Sequence, residues 1–483
     1  MNAWPLIFVL PGIMAVLGLF PRTARRLPFV SAVLMLGQVA MVVWVCGPAF
    51  GRGETEVGSL GIGGMTAAFL LITTLVSAAA LVQSAVLLPA ERADDPDISD
   101  RRFCSFYTLS GLFLSAMYCV LLAHNLGYMW IAMEATTLLS APLVYHHRTR
   151  HSLEATWKYL LLCSVGIAFA LFGTVLLLAA QHAAGGTPTL VFGEIVARGP
   201  RLDPHLVRLA FAFCVLGYGV KAGIFPLHNW LPDAHSEAPA PASAMLSGAL
   251  LNCALVAIWR VAQVARAAGQ GDLVRQVLVP GGVITVLAAS LLLLRQRDLK
   301  RMWAYSSVEH VGLLTLAIGI GATPIFILHA LNHSLVKVAL FLLSGGILQA
   351  YGTKALSKIR GLLAISPVWG VALIAATFAI AGSPPFGTFI SEWLLLRDTF
   401  TAGQPLAAAL VILGLTVAFV ALMSHVTPML FGVKAQTLVR KPAAAWGAVP
   451  AALLIATLAT GLALAPPVMS FLGALATGGH RLP

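Results

Sequence analysis

Titratable side chains lie inside long apolar segments of this 483-residue chain. They are three glutamates, two lysines and three histidines, namely Glu134, Lys221, Glu309, His310, His329, His333, Lys337 and Glu392. A charged group at bilayer depth is costly and is usually functional. Lysine in a low-dielectric medium gives up its proton more readily, a neighbouring carboxylate opposes that release, and imidazole exchanges protons near neutral pH. These residue types therefore predict proton transfer through an apolar interior.

Three of these side chains form a stripe on one predicted helix. His329, His333 and Lys337 are spaced at i, i+4 and i+8, so they lie on a single face. Because lipid cannot satisfy two imidazoles and an ammonium, the stripe must face protein or water. The alternative to a proton relay is a set of three interhelical hydrogen bonds. The HxxxH spacing also suits a metal ion, but no carboxylate or cysteine completes the ligand set along the sequence, and we expect no metal site.

Two of the predicted spans are interrupted beside a titratable group. One break follows Lys221 and the other precedes Glu392. The breaks are marked by Pro226, Pro232, Gly382, Pro384 and Pro385. Proline removes a backbone donor, and unwound backbone at membrane depth persists only where it is buried or lines a wet cavity. A matched pair of broken helices in corresponding halves indicates inverted repeats and an ion path.

The composition excludes a soluble protein. The chain is 59% hydrophobic and 10% charged, with a mean hydropathy of +0.89, whereas about a quarter of a soluble domain is charged. The formal charge of +12 does not indicate nucleic-acid binding, since Lys and Arg mostly punctuate apolar stretches. The six cysteines include no CxxC pair, which argues against an iron–sulfur cluster, a zinc knuckle or a disulfide framework. We therefore expect an all-α polytopic membrane protein.

Fourteen segments are long and apolar enough to be spans, since a helix needs about 20 apolar residues to cross the hydrocarbon. They lie at 4–20, 28–49, 61–88, 104–123, 126–145, 155–180, 206–225, 241–261, 273–294, 302–320, 324–350, 366–399, 405–431 and 447–473. The loops on one face hold 19 Lys and Arg, and those on the other face hold 9. The positive-inside rule puts the richer face in the cytoplasm and both termini outside.

Four segments are similar to a known family. They are KAGIFPLHNWLPDAHSEAPAPASAMLSG, RMWAYSSVEHVG, LNHSLVKVALFLLSGG and GSPPFGTFISEW. They resemble the antiporter-like membrane subunits of respiratory complex I, whose superfamily includes Mrp-type cation/proton antiporter subunits and group 4 membrane-bound hydrogenases. The resemblance covers roughly residues 100–430. The Glu of SSVEH and the SEAP that follows HNWLPDAH are most similar to component F of hydrogenase-4 or formate hydrogenlyase-type complexes.

The resemblance implies a fold of about fourteen transmembrane helices with two inverted five-helix repeats and discontinuous helices 7 and 12. It divides the chain into an N-terminal three-helix segment, two repeats and a last span. These units are 1–103, 104–262 (spans 4–8), 263–431 (spans 9–13) and 432–483 (span 14).

The resemblance also assigns roles to the buried groups. Glu134 matches the carboxylate on span 5 and Lys221 the lysine on broken span 7, which together would form a switchable pair. His333 and Lys337 match relay positions on span 11. Glu392 matches the terminal group on broken span 12.

Further polar residues lie at the bend of span 7 and in span 8. His228, Asp233 and His235 lie in the cytoplasmic bend of span 7, where they would take up protons or would cap exposed helix ends. Asn252 stands where the closest complex I subunits often carry a lysine, and an amide cannot carry a proton. The bridge from Lys221 to Lys337 would then need water or one of the side chains Glu309, His310 and His329.

The function expected from these observations is proton translocation in a subunit of a membrane-bound redox complex of the hydrogenase-4 or complex I type. No redox centre is expected in the chain, because it has no cofactor fingerprint, so a nickel–iron centre, iron–sulfur clusters or quinone would belong to partner subunits. The expected partners are other antiporter-like and small membrane subunits and a peripheral redox arm, in a bacterial cytoplasmic membrane. The alternatives are a subunit of an Mrp-type Na⁺/H⁺ antiporter or inorganic-carbon uptake complex, and a non-conducting structural subunit.

Overall fold

The computed structural model describes residues 3–48, 55–57, 60–433 and 447–462, and almost all of this part of the chain is helical. The helices are α1 (Val9–Leu17), α2 (Leu27–Cys46), α3 (Gly64–Asp94), α4 (Asp100–Leu122), α5 (Leu126–Val144), α6 (Arg150–Ala183), α7 (Phe192–Ala197), α8 (Pro204–Ala222), α9 (Trp230–Glu237), α10 (Ala240–Met245), α11 (Leu251–Ala267), α12 (Gly271–Leu293), α13 (Leu299–Ile320), α14 (Thr323–Tyr351), α15 (Leu362–Ile365), α16 (Pro367–Ile380), α17 (Gly387–Thr401), α18 (Pro405–Phe431) and α19 (Ala448–Leu462). Short 3₁₀ turns lie at Trp4–Phe8, Pro21–Thr23, Tyr145–His147, Gly199–Arg201 and Leu356–Lys358, and strands β1 (Thr55–Val57) and β2 (Leu60–Ile62) form one antiparallel hairpin.

The expected polytopic, all-α architecture is confirmed. Nine helices of the described ranges are long and apolar enough to cross a bilayer, and three shorter apolar helices accompany them at Trp4–Leu17, Pro367–Ile380 and Ala448–Leu462. The number of fourteen spans and the inverted repeats stay predictions. The predicted last span, 447–473, is described only as far as Leu462, and residues 434–446 and 463–483 lie outside the described residues.

Both interrupted spans are discontinuous, as the sequence predicts. Helix α8 ends at Ala222 and α9 begins at Trp230, while α16 ends at Ile380 and α17 begins at Gly387. Each unwound segment contains a glycine in the left-handed region, where side chains are unfavourable: Gly223 at φ 84° and Gly382 at φ 63°. Pro232 does not lie in the unwound stretch, because it occupies the first turn of α9, where a helix has no use for its N–H.

Two helices form the centre of the molecule. In α14 and in the continuous segment Ala240–Ala267, 94% of the most apolar stretch is buried by neighbouring helices. A π-helical turn at Leu246–Leu250 interrupts Ala240–Ala267, and such turns are frequent at functional sites. Gly248 permits the close packing there, because a Cβ atom would come within 2.9 Å of Val338 and of Val76. Polar groups on these central helices are therefore kept away from lipid.

Candidate functional site

Lys221 is fully buried one residue before the end of α8. Its Nζ donates hydrogen bonds to Thr137 Oγ1 on α5 at 2.8 Å and to the Tyr159 hydroxyl on α6 at 2.9 Å. The Tyr159 hydroxyl in turn lies 2.6 Å from Ser140 Oγ. The ammonium is thus held by hydroxyl groups from two helices next to the break in span 7.

Glu134 reaches this lysine through one hydroxyl group. Its Oε1 accepts a hydrogen bond from Ser164 Oγ at 2.7 Å, and its Oε2 accepts one from Thr137 Oγ1 at 3.4 Å. No ion pair in the described part of the chain joins Glu134 to Lys221. The direct carboxylate–ammonium pair that the sequence suggests is therefore replaced by a carboxylate–hydroxyl–ammonium series.

A second lysine centre lies on α14. The Lys337 Nζ donates to the Trp303 carbonyl oxygen of α13 at 2.9 Å. Glu309, also on α13, is buried and close enough to Lys337 to interact with it electrostatically. His333 is buried one turn before Lys337, and neither of its ring nitrogens has a hydrogen-bond partner among the residues that the structure describes. A buried imidazole in this state is normally satisfied by ordered water.

Two histidines and a serine form a hydrogen-bonded row beside this centre. His310 Nδ1 lies 3.0 Å from His329 Nε2, and His329 Nδ1 lies 2.9 Å from Ser391 Oγ on α17. His310 Nε2 donates to the Ile380 carbonyl oxygen at 3.0 Å. That carbonyl is free to accept because the residue four positions on, Pro384, has no N–H. The broken helix thus supplies the acceptor that orients His310.

Glu392 lies beside the same break. The residue is buried, and its Oε1 atom has no hydrogen-bond partner in the described chain. Its Oε2 atom occupies the space above Gly382, where a Cβ atom would come within 1.8 Å of it. A cavity of about 420 Å³ is lined by Glu392 together with Trp393 and Phe419, so it connects the carboxylate to the outer surface of α17 and α18.

Asn252 lies on α11 and hydrogen-bonds to α14, the helix that carries Lys337. Its Nδ2 donates to the Gly248 carbonyl oxygen in the π turn at 3.0 Å and to Ser334 Oγ at 2.8 Å, one turn before Lys337. Its Oδ1 atom is buried and has no hydrogen-bond partner within the described ranges. Other buried polar atoms without a hydrogen-bond partner in the described part of the chain are His228 Nδ1, both His235 nitrogens, Trp303 Nε1 and Ser306 Oγ.

The three residues at the bend of span 7 have different environments. Asp233 pairs with Arg301 and, at 3.2 Å, with Lys158, so it fastens α9 to α13 and α6. His228 is buried with its ring 5.3 Å from that of Phe225. His235 is fully buried and stacks on Phe341 at 4.9 Å. The bend therefore combines an ion-pair anchor with two inward-facing imidazoles.

Sequence reasoning missed a group of residues near this bend. Glu91, His147 and Lys300 line a cavity of about 320 Å³, in which His147 Nδ1 lies 3.1 Å from Glu91 Oε1. Burial and the positive charges of Lys300 and Arg102 lower the pKa of His147 to about 4. Glu91 was treated as a loop residue because the predicted span ends at 88, whereas α3 continues to Asp94. The available signal was an acidic residue directly after an apolar helical run.

Comparisons with known proteins identify the family to which the chain belongs. Residues 123–419 match the protein family described as NADH:quinone oxidoreductase/Mrp antiporter, transmembrane. The hydrogenase-4 component F homolog of Methylacidiphilum infernorum is 41% identical over 332 residues, which are 68% of this chain and 70% of the relative. NADH-quinone oxidoreductase subunit N of Deinococcus radiodurans is 31% identical over 431 residues, 86% of this chain and 84% of the relative.

A solved structure has the same fold. A chain of the membrane-bound sulfane sulfur reductase, an archaeal respiratory membrane complex, superposes with a TM-score of 0.87 at 24% identity, over 99% of this chain and 98% of that chain. The family match agrees closely with the region 100–430 in which the sequence motifs lie. The chain therefore belongs to the transmembrane family of NADH:quinone oxidoreductase and Mrp antiporter subunits.

Proposed function

We propose that this chain is an antiporter-like subunit that translocates protons in a membrane-bound redox complex of the hydrogenase-4 type. The observation that carries the proposal is the series of titratable groups from the half-buried Glu134 to the buried Lys221, Lys337 and Glu392, arranged around two broken helices. Charged groups in the interior of a membrane protein are retained chiefly where they serve transport. The similarity to a hydrogenase-4 component F homolog supports the type of complex.

The first transfer step runs through Thr137. The Lys221 ammonium can give a proton to Thr137 Oγ1 while the same hydroxyl gives its own proton to Glu134 Oε2. The products are a neutral amine and a neutral carboxylic acid, and no charge is left unpaired in the low-dielectric interior. Reversal of the step restores the ammonium and the carboxylate on either side of the Thr137 hydroxyl, so one hydroxyl switches both groups together.

Water is the proposed link from Lys221 to Lys337. Asn252 cannot carry a proton, but its free Oδ1 atom and the free nitrogens of His235 offer hydrogen-bonding positions to water between the two lysines. A buried polar atom without a protein partner costs free energy unless water satisfies it. The interior near the π turn is therefore proposed to be hydrated.

The second half of the path would lead to the cavity beside Glu392. Protons on Lys337 would pass by Glu309 and His333 to the row of His310 and His329. Both ring nitrogens of an imidazole can exchange protons, so such a row can conduct. Glu392, at the end of the row, faces the 420 Å³ cavity that opens between α17 and α18.

The proposed path implies two related halves, 104–262 and 263–431, between an N-terminal segment 1–103 and a C-terminal span in 432–483. Glu134 on α5 and Glu309 on α13 occupy positions five predicted spans apart, and so do the breaks after Ala222 and Ile380. An odd offset of five spans reverses the topology of the second copy, which is the geometry of inverted repeats.

The proposed setting is a bacterial cytoplasmic membrane, with both termini outside. Nickel–iron, iron–sulfur or quinone chemistry would take place in partner subunits, which include other membrane subunits and a peripheral redox arm. Purification of the complex in mild detergent tests this setting. Recovery of a nickel–iron hydrogenase large subunit would support it, whereas Na⁺-dependent transport without any redox subunit would favour an Mrp-type antiporter instead.

Proton uptake by the assembled complex in vesicles tests the function itself. Lys221→Ala and Glu134→Gln should lower redox-driven proton uptake by roughly 100-fold, since a lost proton-transfer group costs about 10²–10⁴ in rate. Lys358→Ala, which removes an exposed lysine, is the matched control and should have no effect. Normal uptake in the assembled Lys221→Ala complex would favour a structural, non-conducting subunit and would refute the proposal.

A further inference from the structure

Three potential metal ligands converge beside the break in span 12. Ligand atoms of His310, His329 and Glu392 all lie within 4.8 Å of one another, and the three residues are buried. The sequence pairs His329 with His333 and offers no carboxylate. In the structure His329 is instead paired with His310 of the preceding helix, and α17 supplies the carboxylate. The reason given for expecting no metal site, the missing third ligand, is therefore wrong.

The outer ring nitrogens of His310 and His329 form hydrogen bonds that determine which nitrogens carry a hydrogen. These bonds leave the two inner nitrogens with lone pairs that face each other. His310 Nε2 must donate, because its partner, the Ile380 carbonyl oxygen, can only accept. Ser391 Oγ lies within 2.9 Å of the Thr388 carbonyl oxygen and can donate to it. Ser391 then accepts from His329 Nδ1. In this arrangement the inner nitrogens, His310 Nδ1 and His329 Nε2, both present lone pairs across 3.0 Å.

Facing lone pairs at that distance repel each other, and a cation shared between them removes the repulsion. A proton shared between the two inner nitrogens does this and gives the pair of histidines a positive charge. A metal ion does it without changing the hydrogen bonds that the outer nitrogens make. Metal-binding histidines typically donate their second N–H to a carbonyl, carboxylate or other oxygen acceptor, which fixes the ring orientation. His310 and His329 both have such an acceptor in place.

We propose that His310, His329 and Glu392 form a binding site for a divalent transition-metal ion of the zinc class. Two imidazole nitrogens and one carboxylate oxygen suit Zn²⁺ or Co²⁺, whereas Mg²⁺ and Ca²⁺ prefer oxygen ligands only. Ligand bonds of about 2.0–2.1 Å in a tetrahedron separate two nitrogens by about 3.3 Å. The inner nitrogens need to part by only a few tenths of an ångström to reach that spacing.

The surroundings of Glu392 provide a carboxylate oxygen available for coordination and a route by which a metal ion could reach it. Glu392 Oε1 is buried and has no hydrogen-bond partner among the described residues, so this atom could coordinate a metal at no cost in existing hydrogen bonds. The cavity of about 420 Å³ reaches Glu392 from outside the chain and leaves space for a water molecule as the fourth ligand. A bound metal would occupy the lone pairs through which the proposed relay passes. The binding site is inferred from the geometry of the three ligands alone. The inference that a bound metal blocks proton transfer rests on the proposed function.

Metal binding to the intact purified complex tests the site. Titration with Co²⁺ should give the visible absorption of a tetrahedral cobalt centre, and zinc X-ray absorption should report two imidazole nitrogens. His329→Gln and Glu392→Gln should each weaken binding by roughly 100-fold, because each removes a ligand of a three-ligand site. His182→Ala removes an exposed histidine and is the matched control, which should leave the affinity unchanged.

The outcomes separate the site from the relay. Equal metal affinity in the assembled His329→Gln, Glu392→Gln and native complexes would overturn the site, as would a zinc spectrum without imidazole. Because Glu392→Gln nearly preserves shape, it remains informative if His329→Gln does not assemble. Bound zinc that leaves proton uptake unchanged would uphold the site and contradict a relay through these histidines.

Discussion

The Thr137 hydroxyl is the smallest unit on which the proposed proton transfer depends. Among the described residues it is the one group that hydrogen-bonds to both the Lys221 ammonium and the Glu134 carboxylate, as acceptor from the first and donor to the second. A hydroxyl can do both at once because it carries one donor and two acceptor positions. Its place on α5, three residues after Glu134, follows from helical spacing, which puts i and i+3 on one face.

Removal of this hydroxyl should uncouple the two charged groups. Thr137→Val keeps the shape of the side chain, leaves Lys221 with one acceptor fewer, and is expected to lower proton uptake roughly 10-fold or more. Thr137→Ser restores the hydroxyl and should restore uptake. The matched control is Thr136→Val, since the Thr136 hydroxyl donates only to the Met133 carbonyl of its own helix. Equal uptake in Thr137→Val and Thr136→Val vesicles would exclude transfer through Thr137.

At the scale of elements, the break between α16 and α17 positions the Glu392 carboxylate, because Gly382 in the break has no side chain to occupy the same space. Gly382 has φ 63° and leaves the volume that Glu392 Oε2 occupies. Any other residue here would meet both a backbone penalty and a collision with that oxygen. The break is therefore needed for the terminal group as well as for the course of the chain.

Two glycine substitutions separate these effects. Gly403 also has a positive φ, 74°, but has no atom within 4 Å of an added Cβ. Both Gly382→Ala and Gly403→Ala should lower the free energy of unfolding by about 1–2 kcal/mol through backbone strain. Gly382→Ala alone should also displace Glu392 and impair proton uptake. Thermal unfolding of the detergent-solubilised complex and vesicle uptake measure the two effects, and normal uptake in Gly382→Ala would contradict this role of the glycine.

The sequence predicts helices and buried faces well because burial of charge in lipid is so costly. The interruptions near Pro226 and Pro384 follow from the missing proline donor, and the burial of His329, His333 and Lys337 agrees with their common face. Partners across helices could not be predicted, because spacing along one helix does not determine which neighbour it faces. For this reason the sequence predicts neither the contact between His310 and His329 nor the hydrogen bond from Lys221 to Thr137.

The whole molecule combines a polar centre with a lipid-facing exterior. Helices α14 and Ala240–Ala267 are enclosed, while α2, α6 and α18 are each less than half buried along their most apolar stretches. Ion pairs gather at the end of the molecule that holds the bend of span 7: Lys354 contacts Glu237 at 2.5 Å and Asp298 at 3.5 Å. This is the end that the distribution of Lys and Arg assigns to the cytoplasm.

Cysteine labelling tests this orientation. Lys358→Cys and Asp272→Cys place an exposed thiol on the two opposite faces, whereas the native cysteines are buried or only partly exposed. A membrane-impermeant maleimide should label Lys358→Cys in inside-out vesicles and Asp272→Cys in right-side-out vesicles. The reverse pattern would mean that the path runs in the opposite direction across the membrane.

Continuity of the proposed path from Lys221 to Lys337 depends on water beside Asn252. A cryo-electron microscopy map of the assembled complex, at a resolution that shows ordered water, measures this directly. We expect water within hydrogen-bonding distance of Asn252 Oδ1, of the His235 ring nitrogens and of the His333 ring nitrogens, joined into one chain between the lysines. A well-resolved interior that is dry at these atoms would contradict proton conduction through this chain.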